Sequence, residues 1–160
     1  MEVSSRGLPR RQGARPKTTP TNPHQQLTDT APLEMQHRLA ELAFLLADVE
    51  EHPSQISVPG TRALCLSRKW AAGPGEAFMI GREFAHLHPA HDGSLHLALP
   101  PQLAAEACTQ GWTEVHPVAR LGLIPPNVVM LYGPRDETEV QIILDLLRQS
   151  RDFAKGQTPP

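Results

Sequence analysis

The sequence predicts an α+β domain with a largely antiparallel sheet, and three observations carry that expectation. Candidate strands come in groups instead of alternating one by one with helices, in the order α-β-β-β-α-β-β-α. Amphipathic stripes mark a helix near each end of the folded part, through Met35, Leu39 and Leu42 and again through Val140, Ile143, Leu144 and Leu147. Between them, two alternating runs flank Asp92-Gly93, which is a turn signal, so Glu83 to Leu99 reads as a β-hairpin. Helices packed mainly on one face would supply the core of this single domain, and the opposite face or its rim would carry the polar chemistry.

Residues 1–31 contain almost no large apolar side chains, four prolines (Pro9, Pro16, Pro20, Pro23) and a basic excess. Such a segment cannot bury enough apolar surface to offset its ordering entropy, so a disordered basic tail is predicted there. Arg10-Arg11 is not followed by an apolar run, which removes the export-signal reading, and the prolines spoil an amphipathic transit helix. The domain is predicted over 32–154 and a frayed end over 155–160. With a formal net charge of −2 for the whole chain, the folded part has no electrostatic footprint for nucleic acid. No apolar run reaches a membrane span. Cys65 and Cys108 form no paired motif, which suits free thiols in a reducing compartment and predicts a soluble, cytoplasmic protein.

In order, Thr30 can cap a first helix whose first turn holds Pro32; the apolar spacing runs on through Leu46 and Val49, and His52-Pro53 would end it. Arg62 to Ser67 reads as a strand, Gly73-Pro74-Gly75 as a turn, and Ala77 to Ile80 as another short strand or the run into the hairpin. Pro100-Pro101 starts a helix with Leu103, Ala104, Ala107 and Cys108 inward, which Gly111 stops. Trp112 to His116 is a short strand ended by Pro117, and Val128 to Tyr132 an apolar one. Asp136 caps the last helix, with Glu139 placed as in a capping box.

Five of the eight histidines (His86, His88, His91, His96, His116) fall between Glu83 and Pro117. Imidazole serves as base, acid or metal ligand near neutral pH. Alternation puts Phe84, His86 and His88 on one face of the first hairpin strand, with Ala85 and Leu87 on the other; Leu95, Leu97 and Leu99 are apolar in the second, leaving His96 opposite. If the leucines bury together, His86, His88 and His96 meet, whereas a slip of one residue turns His96 away. Three imidazoles so placed form a facial set that can hold a divalent metal and leave a position open, with Glu83 or Asp92 as a carboxylate if the metal is iron. Without metal, one imidazole can take a proton from an enol or phenol while another holds the anion. Arg135 can pair with an anionic group.

Blander readings stand beside these. The three histidines could be hydrogen-bonding groups of a half-exposed sheet, and His37, His52 and His91 read as solvated. His116 could satisfy a loop carbonyl, Trp112 could line the core, and Arg135-Asp136 could be a helix start. Glu83 and Glu114 could be surface charges. Ser94 lies near His96, but no Gly-x-Ser-x-Gly elbow supports a serine hydrolase.

Four stretches carry a resemblance: Glu83-Phe84-Ala85-His86-Leu87-His88-Pro89, Asp92-Gly93-Ser94-Leu95-His96, Gly111-Trp112-Thr113-Glu114-Val115-His116-Pro117 and Tyr132-Gly133-Pro134-Arg135-Asp136. In that order and spacing they resemble the luciferase-like domain of fungal luciferases and their bacterial relatives, over about 82–153. The resemblance implies an oxygen-using enzyme acting on a small aromatic or enolic molecule, without an organic cofactor. The fungal enzymes oxidise a hydroxylated pyrone with dioxygen and emit light. They carry a membrane segment where this chain has its polar arm, so light emission is not part of the expectation. Carried over by position, His86, His88, His96 and His116 are the expected catalytic residues, and Glu83, Trp112, Glu114 and Arg135 the expected substrate contacts. A non-catalytic module binding a small ligand or metal is the competing expectation.

Overall fold

The computed structural model describes residues 7–157. Its elements are α1 (Leu33–Ala43), β1 (Val49–Pro53), β2 (Arg62–Leu66), β3 (Glu83–Leu87), β4 (Leu95–Ala98), α2 (Pro101–Thr109), β5 (Thr113–Val115), α3 (Pro117–Arg120), β6 (Val128–Leu131) and α4 (Glu137–Ala154), with 3-10 turns at Arg68–Trp70 and Gly75–Ala77. The six strands form one sheet in the order β1-β2-β3-β4-β6-β5, and every neighbouring pair is antiparallel. This is the predicted α+β class.

Its element order differs from the expected α-β-β-β-α-β-β-α in two places. The helical spacing through Leu46 and Val49 is not used: α1 stops at Ala43, Asp48 turns the chain at φ 68°, and Val49–Pro53 becomes an edge strand. Apolar residues four apart fit a helix locally, but pairing with β2 satisfies this stretch's backbone instead. Pro117 opens the short helix α3 where the sequence signalled only a strand end. Ala77 to Ile80 adds no strand beyond an isolated bridge from Ile80 to Glu83.

One face of the sheet carries the core. Leu64, Leu66, Ala85, Leu87, Leu95, Leu97, Val129 and Leu131 join Leu39, Ala43, Val140, Ile143 and Leu147 of the flanking helices in a single buried cluster. Helix α4 supplies most of that cover because its apolar stripe runs its full length, and Asp136 Oδ1 caps it by accepting from Glu139 N–H at 2.8 Å. Glu139 reaches back as expected, yet its carboxylate accepts from Arg135 N–H at 2.9 Å, one residue earlier than in a standard capping box.

Residues 7–31 correct the expectation of a disordered tail, of which residues 1–6 lie outside the described residues. The arm lies along the domain, with Leu8, Arg11, His24 and Gln26 buried. Its order comes from directed hydrogen bonds, not an apolar core of its own. Leu8 N–H donates to Glu106, Trp112 Nε1–H to the Pro9 carbonyl, Arg15 to the Thr113 carbonyl and Gly133 N–H to Gln26. Composition measures apolar content and is blind to such partners. At the other end Lys155 to Gln157 close α4 with backbone bonds, and the rest of the predicted frayed segment, 158–160, lies outside the described residues.

Candidate functional site

The hairpin sets the register on which the site depends. His86 and His96 are direct cross-strand partners, and the same row runs from Ala63 through His86, His96 and Met130 to Glu114. Directly opposed residues share a face, so His96 stands beside His86 on the side away from the helical core. His88 follows β3, and its N–H bonds the Ser94 carbonyl at 2.9 Å, which extends the pairing into the seven-residue connection. All three rings are buried, to 3, 8 and 4% exposure for His86, His88 and His96.

Alternation fails at one point. Leu64 faces Ala85 while Cys65 faces Glu83, so Phe84 is an extra residue on β3. The bulge sends Phe84 into the apolar core, correcting the expectation that it shares the histidine face, and turns Glu83 toward His86.

The ring contacts are close. His86 Nε2 and His88 Nε2 each lie 3.0 Å from His96 Nδ1. The outer nitrogens are held by acceptors: His86 Nδ1 by Glu83 Oε2 at 2.8 Å, and His88 Nδ1 by Asp92 Oδ2 at 3.0 Å and Ser94 Oγ at 2.9 Å. His96 Nε2 meets His24 Nδ1 at 2.9 Å, and His24 Nε2 meets Glu114 Oε2 at 2.9 Å. His24 is the residue that sequence reasoning missed. It sits on the arm with no periodicity to flag it, and only the docking of the arm brings it here.

His116 closes the cluster, its ring centroid 4.6 Å from that of His96 and 5.2 Å from that of His24. Its Nδ1 accepts from Val118 N–H at 3.1 Å, capping α3. Burial holds His86 and His96 below the usual imidazole range, in His96 reinforced by the neighbouring rings His88 and His86. Burial, then His24, lowers His116 to about 4. At neutral pH these three rings are therefore uncharged. Burial would raise the Asp92 and Glu114 carboxyls, but hydrogen bonds outweigh it: His88 and Ser94 hold Asp92 low, and His24, Tyr132 and Thr18 hold Glu114 low.

The imidazoles form one wall of a cavity of about 530 Å³. Its other walls are apolar, from Ile56, Val58, Phe78, Met79, Ile124 and Val128, and the arm contributes Asn22 to Gln25. His86, His88, His96 and His116, the four expected catalytic residues, all line it.

None of the four expected substrate contacts does. Glu83 lies behind His86, accepting also from Ser54 Oγ at 2.9 Å and Gln55 N–H at 3.3 Å. Glu114 lies behind His24 and accepts from Tyr132 O–H at 2.8 Å. Trp112 is buried under the arm. Arg135 forks onto Glu139, with Nη2 2.6 Å from Oε2, and reaches Asp29 and the Gln12 carbonyl, so its charge is neutralised and it clips the arm. His91 is exposed, as expected.

The antiparallel α+β sheet thus carries a buried histidine cluster that forms one wall of a largely apolar cavity. Comparison with known proteins then gives a resemblance over part of the chain. Residues 81–150 match the family model described as Luciferase domain. The chain is 38% identical over 71 residues to the luciferases of Armillaria gallica and Armillaria mellea, covering 43% of this chain and 27% of each of theirs. It is 42% identical over 64 residues to the luciferase of Neonothopanus nambi, covering 39% of this chain and 24% of that one. Over residues 81–150 this protein is therefore similar to a luciferase domain, and the matched segment spans about a quarter of the length of those curated relatives. No solved structure matches the chain. Among the described residues no helix is long and apolar enough to cross a membrane.

Proposed function

We propose that this luciferase-like domain is a small oxidoreductase that binds a small aromatic or enolic molecule against the histidine wall and oxidises it with dioxygen. The observation that carries the reading is the cavity. Its apolar walls suit a flat ring, and five imidazoles line it, His24 from the arm with His86, His88, His96 and His116, three of them held neutral. A neutral imidazole accepts a proton, so an enol or phenol O–H directed at this wall can be converted to its anion. The anion is electron-rich and is the form that gives up electrons to dioxygen, the oxidant. The N–H that His116 keeps at Nε2, its Nδ1 being an acceptor for Val118 N–H, then holds the negative oxygen. His86, His88, His96 and His116 carry this chemistry, and the carboxylates behind them orient the rings.

Relatives named as luciferases support oxygen chemistry here. Light emission belongs to those whole proteins and is not carried over. Two free cysteines, Cys65 buried and Cys108 half-buried, suit a cytoplasmic setting, with a small-molecule substrate and no nucleic-acid partner.

The test is oxygen uptake by the full chain with a panel of hydroxylated pyrones and catechols, with product formation followed by mass spectrometry. Substrate-dependent uptake that disappears in His88→Ala, with the circular dichroism spectrum retained, is expected. Saturable binding with every candidate recovered unchanged overturns the enzyme in favour of a binding module.

A further inference from the structure

Following the protons through the cluster leads to a definite conclusion about its centre. Glu83 can only accept, so His86 carries its proton on Nδ1 and presents a lone pair at Nε2. Ser94 Oγ–H donates to Asp92 Oδ1, so both Ser94 Oγ and Asp92 Oδ2 accept from His88, whose proton is likewise on Nδ1. Glu114 accepts from His24 Nε2–H, which leaves His24 Nδ1 as the acceptor for His96 Nε2–H. The third lone pair is then on His96 Nδ1.

Three nitrogens therefore face one another with no hydrogen left between them, although His86 Nε2 and His88 Nε2 each stand 3.0 Å from His96 Nδ1. Lone pairs held that close repel unless a cation lies among them. A cation about 2.0–2.1 Å from each imidazole nitrogen would separate pairs of them by about 2.9 Å at right angles and about 3.4 Å in a tetrahedron. The observed spacing falls within that range.

We infer that His86 Nε2, His88 Nε2 and His96 Nδ1 hold a divalent first-row transition cation, with His24 as the positioning residue that fixes the tautomer of His96. The inference rests on the reading of the histidine wall as the reacting surface, with the cation, in place of the three lone pairs it occupies, favouring the substrate oxygen in its anionic form. Neutral imidazole donors suit zinc, iron, cobalt, nickel and copper, and exclude magnesium and calcium as the preferred ion. Each ligand has its own outer-shell carboxylate, directly for Glu83 and Asp92 and through His24 for Glu114, as in carboxylate–histidine–metal arrangements. The coordination face away from the sheet opens on the cavity, where a substrate oxygen would complete it. The neighbouring set of His24, His96 and His116 also brings three nitrogens within 4.8 Å of one another. It does not compete, because His24 Nδ1 is already occupied by His96 Nε2–H, and His116 Nδ1 by Val118 N–H.

The experiment is calorimetric titration of the full chain with zinc chloride after dialysis against chelator, repeated with cobalt chloride and read by visible absorption. One equivalent should bind, with cobalt bands of a nitrogen-ligated site. His86→Ala and His88→Ala should each abolish the one-to-one isotherm, and His91→Ala should leave it unchanged. His24→Ala should weaken binding about 10–100-fold, and His24→Gln, which restores an acceptor, should recover part of it; a merely structural role would give no such rescue. No binding by the intact chain overturns the centre, and so does binding that survives His88→Ala. Binding lost in His116→Ala but kept in His86→Ala also overturns it, in favour of the neighbouring set. Oxygen uptake by chelated protein that takes up no zinc or cobalt sinks the metal and leaves the enzyme standing, whereas one bound equivalent without turnover does the reverse.

Discussion

Glu83 has a role quite different from that of an exposed carboxylate in a strand. The β3 bulge turns it inward, where its carboxylate accepts from His86, Ser54 and Gln55. Removing it leaves the buried His86 Nδ1–H without a partner and takes an acceptor from the half-buried Ser54 hydroxyl and the exposed Gln55 N–H; a buried group left unpaired costs on the order of 1–3 kcal/mol. Glu83→Ala should therefore lower the unfolding free energy by about 2 kcal/mol or more, measured by urea denaturation. Glu83→Gln keeps a carbonyl acceptor and should lose less. The histidines show the same dependence on neighbours. His86 and His88 were legible as a pair from spacing two along a strand, and His96 from the leucines that flank it. Which ring nitrogen faces the cavity was not legible, because that follows from partners as distant as Glu114 and His24.

At the scale of elements, the arm and α4 behave differently because they are held differently. Leu8 is the arm's single buried large aliphatic side chain among the described residues, and most of the remaining attachment is polar. Leu8→Ala should release the arm locally, so amide exchange should quicken over residues 8–15 while the global urea midpoint moves little. Helix α4 is joined to the sheet through Val140, Ile143 and Leu147, all fully buried. Ile143→Ala should cost about 2–5 kcal/mol of global stability through lost burial and a cavity, again by urea denaturation. The stripe of α4 was plain in the sequence because its period persists over the whole helix. The arm was not, since its contacts have no period.

For the whole molecule, the buried cluster makes folding sensitive to acid. His86, His96 and His116 have folded values below their ordinary 6.5, His116 at about 4, so the unfolded chain binds protons that the folded one refuses. Stability should be level above about pH 6.5 and fall as the pH drops from there toward about 4. Asp92 and Glu114 are depressed below their ordinary values of 3.8 and 4.5, so their contribution persists above that range and is lost at lower pH. Urea midpoints at a series of pH values should show the first decline well before the carboxylates titrate. His116→Gln should flatten part of it.

The sequence by itself determined the class of fold and the hairpin, and placed His86, His88 and His96 together on condition that the flanking leucines bury on one face. Those features follow from periodicity, turn residues and caps, which act between residues close along the chain. Only the tertiary structure decided that Val49–Pro53 pairs as an edge strand, that Phe84 and Glu83 exchange faces at a bulge, and that the arm brings His24 to His96. Each of these is fixed by partners remote in sequence, and a hydrogen bond across seventy residues leaves no local pattern to read.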